Sequence, residues 1–153
     1  MAGFYRDHDI IVSGSKLERP GPHLLAEHMD MFRDSFMAKR KALHPVVLVA
    51  YAHLELVQIH PFHDGNGRTS RLLMNLVLVN KGFQIISFDK DDRFRYYQAL
   101  ETSYFGDPVN NEFADFIAEM ELNAQKFHIK LLNIEYPGPC IPEQGDGNRG
   151  PKP

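Results

Sequence analysis

The chain has 153 residues, of which 43% are hydrophobic and 24% charged, and a formal net charge of −3. This size and composition are typical of one globular domain. The slightly acidic charge argues against a nucleic-acid partner, because nucleic-acid-binding proteins usually have a basic face. Cys140 is the one cysteine, so the chain has no pair for a disulfide. No apolar run approaches the roughly 18 residues of a membrane span, and no signal-peptide pattern precedes the domain. We therefore expect a cytoplasmic protein without a membrane partner.

The first third of the chain predicts a small hairpin followed by a helix. The β-branched run from Ile10 to Val12 meets a Ser-Gly turn, which predicts a hairpin over residues 9–19. After Pro20-Gly21-Pro22, apolar side chains recur at helical spacing and predict a helix over residues 23–41. The hairpin is the only β structure that we predict, so the fold class is all-α.

Four further helices and a tail complete the prediction. Pro45 is suited to the first turn of a helix. From residue 46 to residue 59 the side chains are apolar around almost the whole helix, which predicts a central buried helix. A third helix should run over residues 68–80 and end at Gly82. Asp89 or Asp91 can cap a fourth helix to residue 101, and an asparagine at 110 or 111 a fifth to about 133. Residues 137–153 contain little to bury, and predict a disordered tail.

Residues 60–71 read His-Pro-Phe-His-Asp-Gly-Asn-Gly-Arg-Thr-Ser-Arg and carry most of the chemical information. A turn containing Gly65 and Gly67 lets backbone N–H groups converge on an anion. The helix that follows adds its N-terminal dipole, which favours phosphate. Arg68 and Arg71 are three residues apart, so both guanidinium groups can bind neighbouring phosphates from one side. The segment therefore indicates a site for a polyphosphate.

Two more side chains of this segment can take part in chemistry. Asp64 offers carboxylate oxygens, which Mg²⁺ prefers and often shares with substrate phosphates. His60 ends the preceding helix, and a histidine that titrates near neutrality can accept a proton from a hydroxyl. Together these residues suit the handling of a nucleoside polyphosphate, with His60 able to take a proton from an incoming hydroxyl.

Each of these residues also has a purely structural explanation, such as a turn, a solvated face or a histidine at a helix end. A zinc site made of His53, His60, His63 and Asp64 is a further alternative. His53 and His60 are seven residues apart, about two helical turns, and the nearby arginines would repel a metal. The concentration of all these groups in twelve residues favours the polyphosphate site.

Residues 60–71 match every specified position of the Fic family signature, His-Pro-Phe-x-Asp/Glu-Gly-Asn-Gly-Arg-x-x-Arg. The Gly-Phe-Tyr-Arg segment at 3–6 resembles the family's segment that leads to the flap, and residues 69–76 and 96–101 are similar to the animal endoplasmic-reticulum Fic enzymes. The resemblance covers about residues 3–132. It implies a Fic-fold helical bundle with a small β-hairpin flap, in a domain over residues 1–136.

The resemblance implies a protein adenylyltransferase that moves AMP from ATP to a Ser, Thr or Tyr hydroxyl of a target protein and releases pyrophosphate. His60 would be the general base, and Asp64 would bind Mg²⁺. Residues implied to bind the nucleotide and its phosphates are Gly65, Asn66, Gly67, Arg68, Arg71, Tyr97 and Leu100, the last two beside adenine. The flap implied to pair with a target segment comprises Ile10, Ile11, Val12, Ser13, Gly14, Ser15 and Lys16.

The sequence departs from the animal enzymes in three ways. Tyr104 stands where they carry an asparagine near adenine, so the choice of base stays open. No glutamate precedes glycine or asparagine, so the inhibitory Glu-Gly/Asn pattern of many relatives is absent. The helix that usually precedes Gly3 is also absent. A trimmed core, a naturally minimal enzyme, and an enzyme whose inhibitor comes from a missing N-terminal segment or a partner chain are the alternatives. Transfer of phosphocholine or UMP, and a non-catalytic helical binding module, remain alternatives. The sequence leaves the target and the oligomeric state open.

Overall fold

The computed structural model describes residues 4–12, 15, 17–103 and 112–134. Within them, a 3-10 turn precedes five helices: α1 (Leu25–Lys39), α2 (Pro45–Ile59), α3 (Asn66–Asn80), α4 (Arg93–Ser103) and α5 (Glu112–Leu131). These residues contain no strand, which confirms a helical fold but leaves the hairpin over 9–19 without support. The predicted tail at 137–153 lies outside the described ranges, as do Tyr104, Ser13, Gly14 and Lys16.

Helix α2 is the centre of the domain, as its apolar circumference predicted. It contacts α1, α3 and α5, and most of its side chains are buried. One hydrophobic cluster joins α2 to α1, and a larger one joins α2 to α3, α4 and α5. The larger cluster is composed of Val46, Val49, Ala50, Leu54, Met74, Leu78, Ile86, Tyr96, Ala99, Leu100, Phe113, Ala114, Phe116 and Ile117. None of the helices in the described ranges has the length and apolar character required to cross a membrane.

The ends of the central helices follow from local residues. Pro45 begins α2, and the His44 imidazole caps it by accepting the N–H of Val46 at 3.3 Å. Gly82 ends α3 with a φ of 82°, and the N–H of Phe83 donates to the carbonyl of Leu78 at 3.0 Å. Both ends were predicted.

Helix α4 begins later than predicted, at Arg93. Neither Asp89 nor Asp91 directly precedes it. Asp92 does, and its carboxylate accepts the N–H of Asp89 at 3.0 Å. The aspartate carboxylate that we expected to cap the helix therefore bonds to the backbone before the helix instead.

The segment between α3 and α4 is held against α3 by paired hydrogen bonds. The amide of Asn75 donates to the carbonyl of Ile86 at 2.9 Å and accepts the N–H of Ile86 at 3.0 Å. Glu121 of α5 accepts the N–H of Gln84 at 2.9 Å. These bonds place residues 86–90 beside the first turns of α3, where they form one wall of a cleft.

Candidate functional site

His60 lies where α2 ends, in the left-handed backbone region with φ 50° and ψ 58°. Such a conformation is unfavourable for a residue with a Cβ and needs support from its surroundings. Arg6, only 2% exposed, provides it. The Arg6 side chain donates to the carbonyl of His60 at 2.9 Å, and its backbone N–H donates to the carbonyl of Pro61 at 2.8 Å. Sequence reasoning gave Arg6 no role, although it ends a segment that resembles the family.

The imidazole of His60 is oriented by one hydrogen bond. Its Nδ1 lies 3.2 Å from the carbonyl of Val57, which can only accept, so in the neutral ring Nδ1 carries the proton. Burial lowers the pKa of His60. The hydrogen bond to Val57 opposes this shift, and the charges of Arg19 and Arg6 add to it. The ring is therefore neutral near pH 7, and Nε2 has a lone pair that can accept a proton.

The loop after His60 is closed by the side chain of Asn66, which is 2% exposed. Its amide oxygen accepts the N–H of Phe62 at 2.9 Å, and its amide nitrogen donates to the carbonyl of Phe62 at 2.7 Å. With both ends of the amide bonded inside the loop, the Asn66 side chain braces the turn. The group of Asn66 that can bind an anion is its backbone N–H.

Gly65 and the first turn of α3 form a cradle. Gly65 has a φ of 85°, which favours glycine, and its carbonyl accepts the N–H of Thr69 at 2.8 Å. The backbone N–H groups of residues 66–68 have no earlier carbonyl within the helix to bond. A Cβ on Gly65 would lie 3.5 Å from Nη2 of Arg68, and one on Gly67 would lie 3.5 Å from Nη1 of Arg71. Both guanidinium groups thus lie over the glycine turn, an arrangement that can bind a polyphosphate.

Asp64 has the chemistry that Mg²⁺ requires. One oxygen of its carboxylate accepts the N–H of Gly65 at 2.6 Å, and the other pairs with Arg68 at 2.9 Å. The side chain is 90% exposed, and an ion pair this exposed contributes at most about 1 kcal/mol. A hard cation can therefore replace Arg68 at little cost, so the residues fit the metal that the family resemblance implies.

A cleft of about 650 Å³ begins at the two arginines, a volume usual for a small-molecule site. Arg68, Arg71 and Tyr97, all predicted as nucleotide-binding residues, line it. Lys90 and Arg93 line it too, and sequence reasoning missed both because they follow no recognisable motif. Leu100 is not among the described residues that line the cleft. Leu100 is 5% exposed and belongs to the hydrophobic core behind Tyr96.

Behind Arg71 lies a buried pair that the sequence did not reveal. Nε2 of His53 lies 2.9 Å from the hydroxyl of Tyr96, and both side chains are buried. Burial raises the pKa of Tyr96 to about 12, although the charge and hydrogen bonding of Arg71 oppose this. Burial, aided by Arg71, lowers the pKa of His53 to about 3, so this ring is neutral. The cationic Arg71 beside the Tyr96 hydroxyl favours the arrangement in which this hydroxyl donates to His53.

The predicted flap is only partly described. Ile11 is 98% exposed, whereas Ile10, Val12 and Ser15 are partly buried. The N–H of Ser15 donates to the carbonyl of Val12 at 3.1 Å. Strand pairing is not seen in the described part of this segment.

Comparisons with known proteins agree with this fold and loop. The sequence model of the Fic/DOC family matches residues 1–78. A protein from Aedes aegypti named "Protein adenylyltransferase Fic" is 42% identical over 144 residues, which are 93% of this chain and 28% of that protein. The chain belongs to the Fic/DOC family.

Solved structures with the same fold include a Fic-domain-containing signaling protein from Bacteroides thetaiotaomicron, with a TM-score of 0.77 and 26% identity over 88% of this chain and 57% of that one. Fic-1 from C. elegans has a TM-score of 0.67 and 28% identity over 88% of this chain and 39% of that one. The chain spans about a quarter of the length of the curated relatives it matches, 22–28%.

Proposed function

We propose that this protein is an adenylyltransferase that moves AMP from ATP to a Ser, Thr or Tyr hydroxyl of a target protein. The hydroxyl oxygen attacks the α-phosphorus, its proton passes to Nε2 of His60, and the bond to the departing pyrophosphate breaks. The observation that carries this proposal is a neutral imidazole, with Nε2 left as the acceptor, directly before a glycine loop flanked by two guanidinium groups. The names of the relatives support the choice of AMP.

In this proposal the cradle holds the phosphates of ATP. The N–H groups of residues 66–68 and the side chains of Arg68 and Arg71 stabilise the negative charge that grows on the departing group. Tyr97 lies beside adenine, where its exposed ring can stack on the base. Lys90 and Arg93 add positive charge to the same cleft. The work of these residues is positioning and charge stabilisation.

Mg²⁺ would be held by Asp64, and when bound it would neutralise phosphate charge. The flap over residues 9–19 would hold a target segment by strand-like pairing, for which exposed Ile11 is well placed. The inhibitory glutamate of many relatives would reach Arg71 from another segment or a partner chain.

The experiment incubates the chain with a lysate and separately labelled ATP, UTP and CDP-choline, then measures intact masses and label on proteins. We expect the mass of one AMP from ATP alone. A gain from CDP-choline or UTP instead would assign the other transfer activities of this fold. No label from any of the three would favour a binding module.

Two variants test the residues. His60→Ala should reduce transfer by about 10²–10⁴-fold, the usual contribution of a general base, with an unchanged circular dichroism spectrum. Its matched control is His128→Ala, a histidine on α5 bonded to the carbonyl of Ala124. Arg71→Ala should lower kcat/KM for ATP by about 10–100-fold, because a charged hydrogen bond contributes about 1.5–3 kcal/mol. Arg33→Ala, which removes an exposed guanidinium on α1, should have no effect.

A further inference from the structure

Three metal-binding side chains meet beside the loop that follows His60. Asp7 and His8 come from the segment before α1, and His63 comes from the loop itself. Nδ1 of His8 lies 2.9 Å from the Asp7 carboxylate, and Nε2 of His63 lies 3.7 Å from the same oxygen. One ligand atom from each residue lies within 4.8 Å of the other two. We call these residues the histidine–aspartate cluster.

The geometry is close to that of a three-ligand zinc site. Bonds of about 2.0–2.2 Å at tetrahedral angles put two ligand atoms about 3.3–3.6 Å apart. The separations of 2.9 Å and 3.7 Å lie on either side of this range, and the third separation is at most 4.8 Å. The two imidazole rings face each other with centroids 4.9 Å apart and planes inclined by 34°. Small rotations of exposed side chains would therefore complete the site.

Arg6 holds the two parts of the cluster together. Its guanidinium donates to the carbonyls of His60 at 2.9 Å, of His8 at 2.8 Å and of Pro20. Its backbone N–H donates to the carbonyl of Pro61. These bonds fix the backbone beside Asp7 and His8 against the loop that carries His63. The backbone segments that carry the three ligands are therefore held together before an ion binds, which lowers the entropic cost of binding.

We propose that the histidine–aspartate cluster binds one transition-metal dication of the Zn²⁺ class, with water in the remaining positions. Two imidazole nitrogens and one carboxylate suit zinc, nickel or copper, whereas Mg²⁺ prefers oxygen ligands. The site is distinct from Asp64, although His63 is its neighbour in sequence. A bound ion would join the segment before the flap to the loop beside His60.

Calorimetric titration of the chain with Zn²⁺ in excess Mg²⁺ tests this proposal. We expect one Zn²⁺ per chain and a higher melting temperature, because the ligands come together only in the folded chain. His8→Ala and His63→Ala should each weaken binding by at least about tenfold, the smallest loss usual even for groups that only orient a ligand. The Arg6 bond to His8 uses the backbone carbonyl, so His8→Ala leaves it intact.

Two matched controls distinguish this site from others. His128→Ala removes a remote histidine, and Asp64→Asn removes the carboxylate proposed for Mg²⁺. Both variants should bind Zn²⁺ as the unaltered chain does. Absence of binding, or binding unchanged in both His8→Ala and His63→Ala, would overturn the proposal. Loss in Asp64→Asn alone would place the ion at the other site and would also overturn it.

A measurement on the unaltered chain covers the case in which a variant fails to fold. Co²⁺ is paramagnetic and broadens the NMR signals of the imidazoles that bind it. We expect broadening of His8 and His63 at low Co²⁺, before His128 is affected. Broadening of all histidines together would show non-specific binding and refute the site. This test requires no activity, so its outcome is independent of the proposed transfer reaction.

Discussion

The hydrogen bond between Tyr96 and His53 gives a sharp prediction about stability and nucleotide binding. Tyr96→Phe removes one hydroxyl and keeps the ring that packs on Phe113 and Phe116. His53 is fully buried, so its Nε2 would lose its partner at 2.9 Å without gaining water. An unpaired buried polar group costs about 1–3 kcal/mol, and we expect the free energy of unfolding to fall by that amount.

The same substitution should affect Arg71. The charge of Arg71 acts on the hydroxyl of Tyr96, so loss of this hydroxyl removes a polar neighbour of the guanidinium. A neutral acceptor contributes about 0.5–1.5 kcal/mol, which predicts a rise of about two- to tenfold in KM for ATP. Only this second effect requires Arg71 to bind nucleotide.

Denaturant unfolding and ATP titration would measure the two effects. Tyr97→Phe is the matched control for stability, because Tyr97 is adjacent and 52% exposed. It should change the free energy of unfolding by less than about 0.5 kcal/mol. Combining Tyr96→Phe with His53→Leu removes both partners, so the double variant should lose less than the sum of the single losses. If Tyr96→Phe unfolds at the same denaturant concentration as the unaltered chain, the argument about the buried pair is refuted.

Three further predictions concern the site and its support. Asn66→Ala should lower the free energy of unfolding by about 1–3 kcal/mol, because two hydrogen bonds to Phe62 are lost. Asn66→Asp should recover part of this loss. Equal stability of the unaltered chain and both variants would contradict the bracing role. Gly65→Ala should cost about 1–2 kcal/mol at a φ of 85°, measured by thermal unfolding against Gly67→Ala, where φ is not positive and a Cβ would meet the nearest atom at an ordinary 3.5 Å. The pKa of His53 is about 3 in the folded chain and 6.5 when unfolded, so its contribution to stability is complete above pH 6.5 and is lost as the pH falls toward 3. About 3 kcal/mol should disappear by pH 4, and a His53→Leu chain with the same pH dependence would refute this.

Much of the fold and the loop could be predicted from the sequence because the signals are local. Pro45 and Gly82 mark helix ends through their own backbone preferences, and the apolar circumference of α2 indicates burial. The loop with its glycines and arginines is contiguous, so the spacing of its residues already defined which groups could meet. The start of α4 was placed less well, because several aspartates nearby can each cap a helix.

The rest required the tertiary structure, because it joins residues distant in the chain. Arg6 contacts His60 across 54 residues, and Tyr96 contacts His53 across 43. Asp7 and His8 likewise lie close to His63, which is more than 50 residues away in the chain. Leu100, predicted beside adenine, belongs to the hydrophobic core. Asn66 was predicted at the phosphates, and its side chain bonds to the backbone of its own loop. Sequence spacing determined which chemical groups are present; packing of the helices decided which of them face the cleft and which support it.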